Sequence, residues 1–341
     1  MPQQSAFTRF VIRNLCDLAA RCLGGDRTYH GHWIYEKLHK PSSVCHETIN
    51  VLYYILKTPK LHRPIAALIE PVYGCNLNCT YCWPAFKQQA GIRGPIPERP
   101  HLMPWNLFRK TVEQLPRSVE SVCLTGLGEP LLHPRLMDMI KFLAKRHIRS
   151  IIYTNGTLLH GPMATRLARS PVDVVNISTE PDSNTAMTYR GMDIRALYNH
   201  IAAFISAKRP ETEIKLSVVA HPGNVDQLQH LYRRWHRATD GIKIVHQVSF
   251  SRSVPAHKCP EPWLGNINIL TNGDVGICCL APAWPVVIGN ITTQPLDVLL
   301  NGPRHRAILN AFIHKTHLPG PCQFCLQFNE IKGRKARGIL K

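Results

Sequence analysis

The cysteines are the residues whose spacing points most directly to chemistry. Cys75, Cys79 and Cys82 place three thiols within eight residues, in a polar loop that follows an apolar run. Three thiolates in one loop can hold a four-iron cluster and leave one iron open to bind another molecule. The same donor set also allows a zinc site. The loop is therefore a predicted metal centre whose metal the spacing alone leaves open.

A second group of thiols lies in the C-terminal part of the chain. Cys259, Cys278, Cys322 and Cys325 complete the ligand set of either an iron-sulfur cluster or a zinc site. Apolar segments on both sides of residues 271–274 predict a hairpin that presents Cys278. Cysteine that binds no metal is usually a small buried hydrophobic residue. We expect that role for four further cysteines: Cys16, Cys22, Cys45 and Cys123.

The composition favours metal binding over disulfides. The 341-residue chain has 12 cysteines, but its start lacks the apolar core of a signal peptide and no stretch approaches a membrane span. We therefore expect a cytoplasmic protein whose thiols stay reduced. The formal net charge of +19 would attract phosphates, carboxylates or nucleic acid, although a solvated basic surface explains this charge equally well.

Strand and helix patterns alternate about six times between residues 66 and 250. The β-branched apolar runs that predict buried parallel strands are residues 66–72, 119–125, 150–154, 172–178, 214–219 and 242–248. This alternation predicts the α/β class, as an open (β/α)6 barrel that is part of a TIM-like barrel. Around it we expect a helical N-terminal extension (1–65), a hairpin-plus-helix domain (251–330) and a basic tail (331–341).

Polar motifs stand at the ends of three predicted strands. The second strand ends in Leu-Thr-Gly-Leu-Gly-Glu-Pro-Leu (124–131), the third in Thr-Asn-Gly (154–156) and the fourth in Asn-Ile-Ser-Thr-Glu (176–180). The carboxyl ends of parallel barrel strands share one edge, where this architecture places its ligands. The three motifs are therefore expected to surround the site that the first cysteine loop opens.

These motifs resemble those of the radical S-adenosylmethionine (SAM) superfamily over residues 66–330. The resemblance implies a 4Fe-4S cluster on Cys75, Cys79 and Cys82, with SAM bound at the open iron. A one-electron donor such as flavodoxin or ferredoxin would reduce the cluster, and SAM would be cleaved to a 5′-deoxyadenosyl radical. The implied SAM-binding residues are Tyr81, Gly126, Gly128, Glu129, Pro130, Asn155, Ser178, Glu180 and Arg190.

The resemblance also implies a role for each of these residues. Tyr81 would pack near the adenine, and the Gly-Glu-Pro turn would hold the methionyl amino group through Glu129. The strand-end motifs would contact the ribose and carboxylate, and Arg190 would pair with the carboxylate. Two departures from the family pattern stand out: Leu127 separates the two glycines, and Glu180 is one carbon longer than the usual Asp.

The C-terminal part resembles the SPASM and twitch domains that follow the barrel in many radical SAM enzymes. The shared features are Gly-Asp-Val-Gly-Ile-Cys (273–278), the later Gly-Asn (289–290) and the closing Cys-x-x-Cys (322–325). A full SPASM domain binds two auxiliary clusters, whereas four thiols imply the twitch form with one auxiliary 4Fe-4S cluster. This layout is most similar to that of the aminocyclitol dehydrogenase of butirosin biosynthesis.

The expected function is hydrogen abstraction from a small polar substrate, such as a sugar, aminocyclitol or nucleotide-like molecule, followed by its oxidation. A radical SAM epimerase or peptide maturase is the alternative, with Cys279 as hydrogen donor because this thiol adjoins a predicted cluster ligand. A zinc-stabilised nucleic-acid-binding protein without catalysis is a rival of another class; nucleic acid is otherwise not expected as a partner.

Overall fold

The computed structural model describes residues 41–82, 99–221, 223–246, 259–278 and 286–323. The expected first helix of the N-terminal extension and the basic tail lie outside these ranges, as do Cys16, Cys22, Cys279 and Cys325. None of the helices in the described ranges combines the length and the apolar character needed to span a bilayer.

The strands form one large sheet and a short two-stranded ribbon. In chain order they are β1 (Ala66–Ile69), β2 (Val72–Tyr73), β3 (His101–Leu102), β4 (Ser121–Leu124), β5 (Arg149–Thr154), β6 (Val174–Ser178), β7 (Glu213–Ala220), β8 (Gly241–His246), β9 (Asn266–Ile269), β10 (Asp274–Gly276) and β11 (Val287–Asn290). Six of them, in the order β1-β4-β5-β6-β7-β8, are parallel. The predicted (β/α)6 architecture is confirmed.

Most of the helices connect successive parallel strands; the first precedes the sheet, and the last two follow its final strand along the chain. In chain order they are α1 (Pro41–Ile55), α2 (Trp105–Gln114), α3 (Leu136–Lys145), α4 (Gly161–Arg169), α5 (Ser183–Arg190), α6 (Ile194–Ala207), α7 (Leu228–Trp235), α8 (Leu296–Leu299) and α9 (Pro303–His314). In α3 the buried residues are Leu136, Met139, Ile140 and Leu143, the spacing that places one apolar stripe against the sheet. The helices therefore hold the strand ends in fixed positions.

The C-terminal hairpin continues the barrel sheet. Strand β9 pairs in parallel with β1, from Ala66 opposite Asn266 to Ile69 opposite Ile269, and β10 pairs antiparallel with β9. The predicted hairpin is present. Strand β1, and not solvent, covers the outer edge of β9, so the backbone groups along that edge are paired. The turn between β9 and β10 consequently lies at the same edge as the loops that follow the barrel strands.

The end of the N-terminal extension also packs on the C-terminal part. The Trp263 indole donates a hydrogen bond to the Thr58 carbonyl at 2.8 Å and stacks edge-on against Tyr54 of α1. The side chain of Asn301 bonds both the amide and the carbonyl of Leu61 at 2.8 and 2.9 Å. These contacts tie residues 41–65 to the domain that follows the barrel.

The expectation that the remaining cysteines are buried is wrong for Cys45 and holds in part for Cys123. Cys45 is exposed on α1, and Cys123 is half-buried on β4. Cys45 sits on the solvent side because Glu47, Asn50 and Val51 occupy the packed side of that helix.

Candidate functional site

The loops that carry the predicted site residues meet at the carboxyl edge of the parallel strands. The cysteine loop follows β1, the Gly-Glu-Pro turn follows β4, and Asn155 and Glu180 follow β5 and β6. The Gly-Glu-Pro turn rests directly on the cysteine loop, because the Glu129 amide donates to the Gly74 carbonyl at 3.0 Å. A Cβ atom on Gly128 would lie 2.2 Å from the Val72 carbonyl oxygen. Glycine is therefore required at this position.

The three thiols of the first group are partly buried. The Cys75 sulfur accepts hydrogen bonds from the Leu77 amide at 3.4 Å and from the Asn155 amide group at 3.6 Å. Burial raises the pKa of Cys75 to about 11, and it also raises the pKa of Cys79. A coordinating metal deprotonates such thiols outright, so cluster binding at this loop releases protons.

Among the residues that the structure describes, no three His, Cys, Asp or Glu side chains converge so as to hold a metal ion. The thiols of the first group thus share one loop without meeting at one point. Support for an iron-sulfur cluster at this loop accordingly comes from the chemistry of its side chains. Three thiols lie in one loop, with polar acceptors and a buried carboxylate next to them.

Glu129 is the buried carboxylate beside this loop and is 2% exposed. Its Oε1 accepts from the Thr154 hydroxyl at 2.6 Å and the Leu131 amide at 3.0 Å, and its Oε2 accepts from the Asn155 amide at 2.8 Å. The pKa of Glu129 is raised overall, because the effect of burial is larger than the opposing effect of these three hydrogen bonds. A carboxylate offers about four acceptor positions, and the described residues occupy three of them.

Asn155 links the end of β5 to the cysteine loop. Its amide group donates to the Asn76 side chain at 2.9 Å in addition to Cys75, and its own oxygen accepts from the Thr157 amide and hydroxyl at 2.9 and 2.6 Å. Ser178, by contrast, faces the neighbouring strand, with its hydroxyl 3.4 Å from that of Ser217. Asn155 is thus placed at the predicted site, and Ser178 lies beside it on the sheet.

Tyr81, Glu180 and Arg190 are brought together, and they bind one another. Oε1 of Glu180 accepts from the Tyr81 hydroxyl at 2.5 Å and from Arg190 Nε at 2.8 Å. The Glu180 side chain is fully buried, and that of Arg190 is 6% exposed. Burial, together with the neighbouring Glu180 charge, raises the pKa of Tyr81. Glu180 therefore anchors two other predicted ligand residues and has little capacity left for the ribose.

Two residues of this network were not predicted from the sequence. The Asn224 amide group donates to Glu180 Oε2 at 3.0 Å, and the His221 ring lies 4.1 Å from the Tyr189 ring, with Nε2 3.9 Å from the same Glu180 oxygen. Both residues follow β7, at the edge where the other site residues lie. Their place directly after the fifth predicted strand was the available signal.

The second group of cysteines lies in apolar surroundings. Cys259 belongs to the hydrophobic core and Cys322 packs against it, while Cys278 is half-buried. Gly276, the last residue of β10, pairs with Asn268 of β9, and Cys278 lies in the bend that follows.

Family models match both parts of the chain. Residues 69–234 match the Radical SAM superfamily, and residues 259–326 match the iron-sulfur cluster-binding domain SPASM. The two matches include Cys75, Cys79 and Cys82 in the first case and the four C-terminal thiols in the second.

Relatives cover part of the chain. It is 31% identical over 151 residues to the tungsten-containing aldehyde ferredoxin oxidoreductase cofactor-modifying protein of Pyrococcus furiosus, covering 43% of this chain and 37% of that protein. The chain is 29% identical over 174 residues to the mycofactocin maturase MftC of Mycobacterium tuberculosis H37Rv, and the match covers 49% of this chain and 41% of MftC. The matches thus span about two fifths of the relatives' own length.

A solved structure shares the fold across both parts. Streptococcus suis SuiB bound to precursor peptide SuiA superposes with a TM-score of 0.56 at 15% identity, covering 83% of this chain and 72% of SuiB. With the strand-end motifs in place and both family models matched in the expected order, the chain belongs to the radical SAM superfamily and carries a SPASM domain, which imply iron-sulfur clusters and SAM as cofactors.

Proposed function

We propose that this radical SAM enzyme abstracts hydrogen from a small polar, anionic substrate and oxidises it. Cys75, Cys79 and Cys82 would hold the SAM-binding 4Fe-4S cluster, and Cys259, Cys278, Cys322 and Cys325 an auxiliary one. When bound, cluster and SAM supply the hydrogen-abstracting radical. The observation that carries the proposal is the buried Glu129 carboxylate next to the cysteine loop, on which described residues occupy three of about four acceptor positions.

The residues of the site have separable tasks. Glu129 would accept a hydrogen bond from the methionyl amino group at its open position. Arg190 uses Nε for Glu180, and no described residue accepts from its two Nη atoms. Those donors form the fork that suits a carboxylate. Tyr81, fixed by its bond to Glu180, would offer its ring to the adenine, with Gly126, Gly128 and Pro130 shaping the turn and Asn155 ordering the cysteine loop.

The choice of substrate is supported by charge and by one relative. A formal net charge of +19 favours an anionic molecule, and the Pyrococcus furiosus relative is described as cofactor-modifying. The auxiliary cluster would take up one electron from the substrate, and flavodoxin or ferredoxin would reduce the SAM-binding cluster. We place the enzyme in the cytoplasm, where such donors and reduced thiols are found.

A peptide substrate is the second candidate. MftC is described as a maturase, and SuiB was solved with a precursor peptide. In that case the enzyme would be an epimerase or another peptide-modifying maturase, with Cys279 as the donor of the returning hydrogen atom. The barrel edge and the β9–β10 turn would then both contact the peptide.

The test is anaerobic incubation of the reconstituted protein with SAM, a reductant and candidate substrates of both classes. The proposal expects 5′-deoxyadenosine and a small-molecule product two mass units lighter than its substrate. Turnover of peptides alone would replace it by the second candidate. A colourless protein that contains zinc, lacks iron and forms no 5′-deoxyadenosine would contradict both.

A further inference from the structure

Glu70 is a fully buried carboxylate that the proposed chemistry does not use. It follows the last residue of β1, at the carboxyl edge of the sheet. Its Oε1 accepts from the Leu127 amide at 3.0 Å, and its Oε2 accepts from the amide and hydroxyl of Thr271 at 3.2 and 3.1 Å. One side chain thus bonds two segments that are more than a hundred residues apart in the sequence.

These two segments belong to different parts of the protein. Leu127 lies between the glycines of the Gly-Glu-Pro turn, two residues before Glu129. Thr271 opens the turn between β9 and β10 in the SPASM domain. The backbone of β1 makes the same bridge one step earlier, because Ile69 accepts from the Thr125 amide and Glu70 donates to the Ile269 carbonyl. The carboxylate extends this ladder beyond the point where β1 ends.

A carboxylate is the group that this position requires. Every hydrogen-bond partner named here is a donor, so the side chain at 70 must present acceptors on both sides. A glutamine would present an acceptor to one segment and an N–H to the donors of the other. The fit is also close, since a Cβ atom on Gly126 would lie 2.3 Å from the Glu70 Cγ. Glu70 therefore fixes the turn by packing as well as by hydrogen bonding.

We propose that Glu70 is a positioning residue that couples the SAM-binding turn to the SPASM domain. SAM held at Glu129 restrains residues 126–129, and Glu70 transmits that restraint to Thr271 and the hairpin. By reciprocity, an ordered hairpin strengthens SAM binding. The inference rests on the proposed function in one respect, namely that the turn containing Glu129 binds SAM.

The experiment is hydrogen exchange, read by mass spectrometry, of the full chain with its clusters reconstituted, with and without SAM. In the wild type, SAM should slow exchange in residues 125–131 and also in residues 269–275. Glu70→Gln should bind SAM about tenfold more weakly, within the usual range of coupling between sites. At saturating SAM it should keep the protection of 125–131 and lose that of 269–275. Glu213→Gln, a carboxylate on β7 remote from this edge, is the control and should match the wild type.

Three results separate the possibilities. If SAM protects 125–131 in the wild type but leaves 269–275 unchanged, or if Glu70→Gln behaves as the wild type, the coupling is overturned and the proposed function stands. If SAM protects neither segment of the wild type, the proposed function itself fails. If Glu70→Gln does not fold, Thr271→Val replaces it, because it removes one donor from the SPASM side alone. It should weaken SAM binding about threefold, and unchanged affinity would overturn the inference.

Discussion

The two cysteine groups are positioned by different means. Around the first group, buried carboxylates organise the loops: Glu129 and Glu180 each accept three hydrogen bonds from residues of the surrounding loops, strand ends and helices. Around the second group, Cys259 and Cys322 lie in or against an apolar core that includes Trp263. The cysteines of the first group lie in one loop, whereas those of the second come from separate segments.

This difference predicts how each region responds to change. A site held by a polar network keeps its shape without metal but is sensitive to the loss of one partner, because a buried group is then left unpaired. A site assembled from distant segments gains folding energy from the metal that joins them. Loss of the first cluster should therefore stop chemistry, and loss of the second should weaken the fold.

The largest effect is expected from replacing Cys75, Cys79 and Cys82 together by Ala. The variant should form no 5′-deoxyadenosine, since SAM has no open iron, and should retain about four irons on the second group. Iron analysis and product chromatography measure the two outcomes. Cys259→Ala is the corresponding variant of the second group, and it should lower the midpoint temperature of thermal unfolding. Continued SAM cleavage by the triple variant, or complete loss of iron from it, would contradict two independent sites.

Removing Arg190 should have the next largest effect, a loss in the free energy of unfolding. Arg190→Met leaves the fully buried Glu180 charge without its cation, and breaking such a pair costs about 3–5 kcal/mol in the free energy of unfolding. Anaerobic denaturant unfolding measures the loss, and the added change Glu180→Gln should recover part of it. Arg109→Met removes an exposed pair with Glu113 and serves as control. A loss of stability no larger than in this control would refute the network.

The sequence predicted the strands far better than it predicted these bonds. The six parallel strands follow from local apolar runs, so their ends could be found to within three residues. The bonds of Glu180 depend on Asn224, which is 44 residues away, and on the register of two strands. The sequence predicted that Glu180 and Arg190 contact SAM, but it carried no signal that the two also pair with each other. Neither Glu70 nor the pairing of β9 with β1 has a local signal, because both depend on which edge the hairpin joins.

Glu129→Ala should weaken SAM binding by about 1.5–3 kcal/mol, the range for a hydrogen bond to a charged group. The reason is loss of the remaining acceptor position on that carboxylate. Thr154→Val is the matched variant, because it removes one internal bond of Glu129 and leaves the acceptor in place. Calorimetric titration with SAM should show the larger change for Glu129→Ala. Equal affinities in the wild type and Glu129→Ala would exclude this role.

A smaller, pH-dependent effect is expected in the SPASM region. Burial lowers the pKa of His305 on α9 to about 4, against about 6.5 when unfolded. Between these values the unfolded chain binds a proton that the folded chain does not, so stability falls as the pH falls. From pH 7.5 to 5.5 the loss should be about 1.3 kcal/mol.

Denaturant unfolding at the two pH values, with iron content followed in parallel, measures this loss. His305→Gln should show a correspondingly smaller pH dependence than the wild type. An unchanged pH dependence in His305→Gln would show that this histidine does not titrate as its burial requires.

The smallest effect is expected from Cys279→Ala, and it separates the two candidate functions. Oxidation needs only an electron acceptor, so the variant should stay as active as Cys45→Ala, which removes an exposed thiol. Its product should be two mass units lighter than the substrate, without carbon-bound deuterium when formed in deuterated water.

Epimerisation needs a hydrogen donor on the face opposite the radical. In that case Cys279→Ala would still cleave SAM but stall the substrate, and wild-type product would gain one deuterium at carbon. The proposed oxidation expects the first outcome; a stalled variant with a deuterated wild-type product would decide for the second.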